Sequence, residues 1–316
     1  MSADICKILG IEYPIFMGAM TLVSESSLVA AVSNAGGLGI FATGDAAQKG
    51  GIEWARAEIK KIKYRSYKPL GVNVALFMKN VPEIIDAVCE EGVKVITTGG
   101  GNPAPYMGQL KSAGVKVIPV VPTVKAAVKM EAMGADMVVA EGTESGGFIG
   151  KITSSVLIPQ VTAAVKIPVI AAGGFATGRG LAAARAMGAS GIQMGTRFMV
   201  CKECTLPQVY KQAIIDQGPT DAIVEGLSIP KAAPHRSMRT PAAEALIAYE
   251  ASSEANPKDY NKQFFAGRVE TTGNFDKAIL GMGQVAGLIH EELSASEIIQ
   301  GIMKEYRETL EELKSL

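Results

Sequence analysis

Histidine, cysteine and net charge are all scarce in this chain. Lysine plus arginine equals aspartate plus glutamate at 31 each, so the formal net charge is zero. Nucleic acid and anionic membranes select basic patches, and this balance argues against either as a partner. The four cysteines, Cys6, Cys89, Cys201 and Cys204, are too few and too scattered for a disulfide framework in 316 residues. A reducing cytoplasm is the expected location. Cys201 and Cys204 form a CxxC, the spacing of a redox pair or of half a zinc site. With no second CxxC and only His235 and His290 as histidines, no metal site is expected. No apolar run reaches membrane-spanning length. Met1 to Leu9 lacks the basic start and apolar core of a secretion signal.

What the chain has is alternation. Apolar runs at 13–17, 38–42, 69–74, 93–97, 115–120, 136–140, 167–172 and 190–194 are separated by seven amphipathic segments. Strands alternating with helices form a parallel sheet covered by helices, and eight units close it into a (β/α)₈ TIM barrel. The letters repeat as well: Gly92-Val93-Lys94-Val95-Ile96 returns as Gly114-Val115-Lys116-Val117-Ile118, and Ala132-Met133-Gly134-Ala135 as Ala186-Met187-Gly188-Ala189. These four glycines fit the left-handed turn between a helix and the next strand.

The barrel is expected over residues 1–205 and 281–316. Between them, 206–280 breaks the alternation with Pro207, Pro219, Pro230, Pro234 and Pro241, and reads as a small, mostly helical insertion able to act as a substrate lid. Asn256-Pro257 and Ser294-Ala295-Ser296-Glu297 read as helix starts. Gly281-Met282-Gly283-Gln284-Val285-Ala286 matches the glycine string of dinucleotide-binding folds. No strand precedes it, so that reading is set aside.

Glycines at the other ends of the strands point to function: Gly18, Gly99 to Gly101, Gly142, Gly146 and Gly147, Gly173 and Gly174, and Gly195. In a barrel this end carries the catalytic face. Val169-Ile170-Ala171-Ala172-Gly173-Gly174 and Gly191-Ile192-Gln193-Met194-Gly195-Thr196 each run from a buried strand into glycine just before a helix. Two such backbone N–H clusters on consecutive βα units form a phosphate cradle.

These residues resemble the FMN-dependent barrel family that contains enoyl-[acyl carrier protein] reductase II and nitronate monooxygenase (2-nitropropane dioxygenase). The likeness rests on Tyr13-Pro14-Ile15 with Gly18-Ala19-Met20, on Ala31 to Gly39, and on Gly71-Val72-Asn73. It continues through Ala140-Glu141-Gly142 with Glu144-Ser145-Gly146-Gly147, Pro168 to Gly174, Gln193 to Phe198 and Gly283 to Ile289. It is nearer to the enoyl reductases, notably at Ile118 to Thr123. The resemblance implies bound FMN with NADH or NADPH as electron donor. It implies that Gly18, Ala19 and Met20 line the flavin ring, that Asn73 bonds its polar edge, and that Thr98, Glu141, Ser145, Gly146, Gly147, Ala172, Gln193 and Met194 lie beside it. Gly173, Gly174, Gly195 and Thr196 would hold the phosphate. A homodimer and a small-molecule or acyl-carrier-linked substrate are further implications.

One departure matters. The family normally places a histidine after Glu-(Ala/Ser)-Gly-Gly, and this chain has Phe148. A phenyl ring moves no proton. The loss weakens nitroalkane oxidation most, because that reaction needs a base. The expectation is therefore NAD(P)H-dependent reduction of an enoyl thioester by hydride transfer through flavin N5. The alternatives are a nitronate monooxygenase, a quinone-type flavin reductase and a catalytically silent flavin sensor. His235 and Tyr106 are the candidate proton carriers, although His235, flanked by prolines, is expected at the surface. Arg236 and Arg239, beside Phe148 in the substrate or nicotinamide region, are candidates for pairing with phosphate.

Overall fold

The computed structural model describes residues 4–268 and 273–315. Residues 269–272 of the expected insertion lie outside the described residues. Eight parallel strands form the barrel wall: β1 Ile15–Met17, β2 Gly39–Ala42, β3 Leu70–Ala75, β4 Val95–Gly99, β5 Lys116–Val121, β6 Val138–Glu141, β8 Val169–Ala172 and β9 Gly191–Met194, with β7 Gly147–Phe148 lying outside it. The sheet order is β1-β9-β8-β6-β5-β4-β3-β2. It closes between β1 and β2, where Leu38 N–H donates to the Ile15 carbonyl and Met17 N–H to the Leu38 carbonyl, both at 2.9 Å. Every strand end falls within two residues of its expected place.

Alternation along the strands divides the core in two. Phe16, Ile40, Ile118, Val139 and Ile170 point into the barrel and meet Ile5 and Leu9 of the helix Ile5–Leu9, which plugs one end. Their neighbours Ile15, Met17, Val72, Val138 and Ile192 point outward against the helices. Burying both faces explains why these strands read as continuous apolar runs rather than as an alternating pattern. Gly92, Gly114, Gly134 and Gly188 all have positive φ, from +63° to +92°, as the repeat required. The last helix, Ala295–Lys314, starts on the capping box formed by Ser294 and Glu297. Asn256 caps Pro257–Arg268, its Oδ1 accepting from Asp259 N–H at 3.0 Å. No helix among the described residues is long and apolar enough to cross a membrane.

The insertion holds the helices Gln208–Asp216, Pro241–Glu250 and Pro257–Arg268. It also holds a strand pair that the sequence did not announce, β10 Ala222–Glu225 and β11 His235–Met238. β11 recruits β7 from the barrel loop, giving an antiparallel sheet in the order β10-β11-β7. The insertion has its own small core of Ile229, Leu246, Tyr260, Phe264 and Ile279. Strands of four residues among prolines carry too little periodicity to be seen in the letters.

Candidate active site

The phosphate-cradle expectation fixes where to look. β8 ends at Ala172, and Gly173 and Gly174 follow with φ of +90° and +82°. A Cβ at 173 would stand 2.7 Å from the Gly142 carbonyl oxygen and 2.9 Å from Ser154 Oγ, so only glycine lets this turn lie against the loop after β6. The N–H groups of Gly173 and Gly174 donate to no carbonyl among the described residues. At the end of β9, Thr196 Oγ1 accepts from Gly283 N–H at 3.0 Å, which leaves its own hydroxyl proton to donate elsewhere.

These turns surround one cavity. Gly18, Ala19, Met20, Glu141, Ser145, Gly146, Ala172, Gly173, Gly174, Gln193, Met194, Gly195 and Thr196 line it. Asn73, Thr98 and Gly147 do not. The Asn73 amide donates to Thr97 Oγ1 at 2.9 Å, Thr98 is buried in the wall, and Gly147 belongs to β7. Glu144, Phe175, Gly283 and Val285 line the cavity without having been singled out. Glu144 had a visible signal, since it stands in the motif next to Ser145. Gly283 and Val285 come from the chain returning after the insertion, a closure only the fold reveals.

Two carboxyl groups line the cavity, and their surroundings separate them. Glu144 accepts from Ser154 N–H at 3.0 Å with both oxygens, and Ser154 Oγ lies 3.0 Å from Oε2. It is thus committed to the start of the helix Ser154–Ala164. Glu141 has no such anchor. Burial pushes its pKa up to about 7, partly offset by the Ser145 hydroxyl. Although Glu141 touches the cavity, it sits deep in the barrel mouth, so desolvation dominates. Ser145 Oγ is itself buried and falls short of hydrogen-bond geometry with any partner among the described residues. Unpartnered N–H groups at one end, and the buried Ser145 hydroxyl beside Glu141 in the wall, fit the phosphate and polar edge of FMN.

The mouth differs from the expectation. His235 is not at the surface but fully buried in β11, with Nδ1 2.9 Å from Glu225 Oε1 across the hairpin. Burial lowers its pKa, partly offset by Glu225, so it is neutral at pH 7. In the antiparallel register His235 is paired with Phe148, and the two rings meet edge to face with centroids 5.3 Å apart. Phe148 thus turns toward the insertion, where Phe264 and the Arg268 guanidinium, 5.4 Å away, complete its surroundings. Arg236 donates to the carbonyls of Thr143 and Ala222. Arg239 is paired with Asp221 and Glu244. Tyr106 lies in the first turn of the helix Ala104–Ser112 and packs on the outer core. None of these five lines the cavity. Cys201 and Cys204 are buried free thiols pushed up by desolvation, unsuited to exchange with solvent.

Comparison with known proteins agrees with this geometry. The family model described as nitronate monooxygenase matches residues 2–88 and 77–305. FabK from Thermotoga maritima is 40% identical in sequence, with a TM-score of 0.93 over 100% of this chain and 99% of that one. The (3aS,4S,5R,7aS)-5-hydroxy-7a-methyl-1-oxo-octahydro-1H-indene-4-carboxyl-CoA dehydrogenase of Rhodococcus jostii is 32% identical over 98% of this chain and 97% of its own. The nitronate monooxygenase of Pseudomonas aeruginosa is 31% identical over 97% of this chain and 100% of its own. All are oxidoreductases, and this chain, an oxidoreductase built on the same TIM barrel, belongs to the nitronate monooxygenase family.

Proposed function

We propose that the chain reduces an α,β-unsaturated acyl thioester with electrons from NADH or NADPH, using non-covalent FMN held at the C-terminal face of the barrel. The observation that carries this reading is the cavity. One end is a cradle of backbone N–H groups that, among the described residues, have no partner, and no imidazole or ammonium group among those residues lines the rest. When bound, FMN supplies hydride acceptance and donation, which need positioning more than a protein base. Gly173, Gly174, Gly195 and Thr196 hold its phosphate. Gly18 to Met20, Gln193 and Met194 line the ring, and the insertion shields the mouth from water. The likeness to FabK and to a carboxyl-CoA dehydrogenase favours a thioester on an acyl carrier or coenzyme A.

Nitronate oxidation is the second reading, favoured by the family model and the Pseudomonas relative. With Phe148 turned away, deprotonation of a nitroalkane would fall to Glu141. Anaerobic stopped-flow absorbance separates the two. NADH is expected to bleach the flavin and crotonyl-CoA to restore it. Bleaching by a nitronate but not by NADH would replace the reductase reading with the oxygenase one.

A further inference from the structure

We propose that Glu141, at the C-terminal end of β6, is the acid that supplies the proton consumed when the enoyl thioester is reduced. This rests on the reductase reading above. Among the described residues, the ionisable side chains of the cavity wall are Glu141 and Glu144. Both oxygens of Glu144 are taken up by the N–H and hydroxyl of Ser154 at the start of the helix Ser154–Ala164. The other lining side chains with polar atoms are Ser145, Gln193 and Thr196, none of which releases a proton near neutrality. His235 points into the insertion and is enclosed by Glu225, Phe148 and Phe264.

The surroundings of Glu141 suit an acid. Ala172 of β8 is apolar, Gln193 of β9 is a neutral amide, and the loop after β6 offers the Ser145 hydroxyl and the capped Glu144. No positive charge acts on the carboxyl, so burial governs it and it carries a proton up to about pH 7. The step balances. The β-carbon gains a hydride, and the α-carbon gains a proton from Glu141 as its O–H bond breaks. The C=C π bond is lost, the nicotinamide is oxidised by two electrons, and solvent returns the proton to the carboxylate.

The test uses the FMN-loaded protein and Glu141→Gln. In wild type, reoxidation of the NADH-reduced protein by crotonyl-CoA is expected to slow as pH rises through about 7. In Glu141→Gln that step should be about 10²- to 10⁴-fold slower and lose the pH dependence. A second readout needs no turnover. Infrared difference spectra between acidic and alkaline pH should show a protonated-carboxyl C=O band that titrates near neutrality in wild type and is missing from Glu141→Gln. If the variant keeps wild-type rate and profile, or lacks no band, Glu141 is not the acid and the reductase reading survives. If wild type itself ignores crotonyl-CoA, the reductase reading fails whatever the band shows. Should Glu141→Gln lose flavin, Glu141→Asp keeps a carboxyl at a shorter reach. Its pH profile is then expected to shift, and an unshifted profile would overturn the proposal.

Discussion

The two ends of the site are built on different principles. At one end the cavity is lined by main chain: Gly173 and Gly174 present N–H groups from a left-handed turn wedged against the β6 loop. Beyond the cavity, where the insertion meets the loop after β6, the contacts are side-chain: Phe148, His235, Phe264 and Arg268 meet across three separate segments. A backbone cradle is fixed by local conformation and tolerates little change. A side-chain cluster depends on distant partners and can be remodelled while the barrel stays intact. This difference fits relatives that carry dehydrogenase, monooxygenase and FabK names on one barrel.

The sharpest way to break the comparison is at Gly173. Alanine there would combine left-handed strain with a Cβ 2.7 Å from the Gly142 oxygen, costing about 3 kcal/mol together. Gly173→Ala is expected to lower stability by that amount and, on the proposed reading of this turn as the phosphate cradle, to weaken FMN binding at least about 100-fold. Gly99, also at a strand end, has open space where its Cβ would stand. Gly99→Ala should therefore stay within about 0.5 kcal/mol of wild type. Flavin fluorescence on dilution and urea midpoints measure both. Equal losses in the two variants would show that the cradle is not set by its backbone.

A smaller effect is expected at the mouth, from Glu225→Ala. Glu225 and His235 are both fully buried, and removing the carboxylate leaves the imidazole without a partner. The cost is about 1–3 kcal/mol. Because the insertion has its own core, the loosening should stay local. Amide hydrogen exchange is expected to quicken across 222–268 and hold steady in the barrel strands, with Glu225→Gln milder. Loosening of β8 and β9 to the same degree would join the two ends into one unit.

Their legibility in the sequence follows the same division. The barrel and the glycine turns at its strand ends could be read because positive-φ turns demand glycine and doubly buried strands demand continuous apolar runs, so the conformation is written in the residue itself. The mouth could not be read in this way. His235 sits between prolines and looked solvated. Its burial comes from Glu225 across a hairpin and Phe264 from a helix, partners 10 and 29 residues away. Arg236 and Arg239 looked like a phosphate clamp, yet the carbonyls and carboxylates that occupy them lie on other elements. Gly283 and Val285 reach the cavity from the segment that follows the insertion, far in sequence from the other lining residues.

The smallest effect, and the most instructive, is expected from Phe148→His. The register pairs Phe148 with His235, so a side chain at 148 projects to the face of the sheet that meets the Pro257–Arg268 helix. The substitution gives up the contact with Arg268 and part of the aromatic cluster, about 0.5–1.5 kcal/mol at a position that is 40% exposed. An imidazole placed there faces the insertion, whereas on the proposed reading the proton is consumed in the cavity. Enoyl reduction should change by less than about threefold, and the pH profile should keep its fall near neutrality. A rate gain above about tenfold, worth about 1.4 kcal/mol of barrier, would mean that residue 148 swings into the cavity when substrate binds. The mouth would then belong to the chemistry as directly as the cradle belongs to the cofactor, and the separation of the two ends would hold only for the protein at rest.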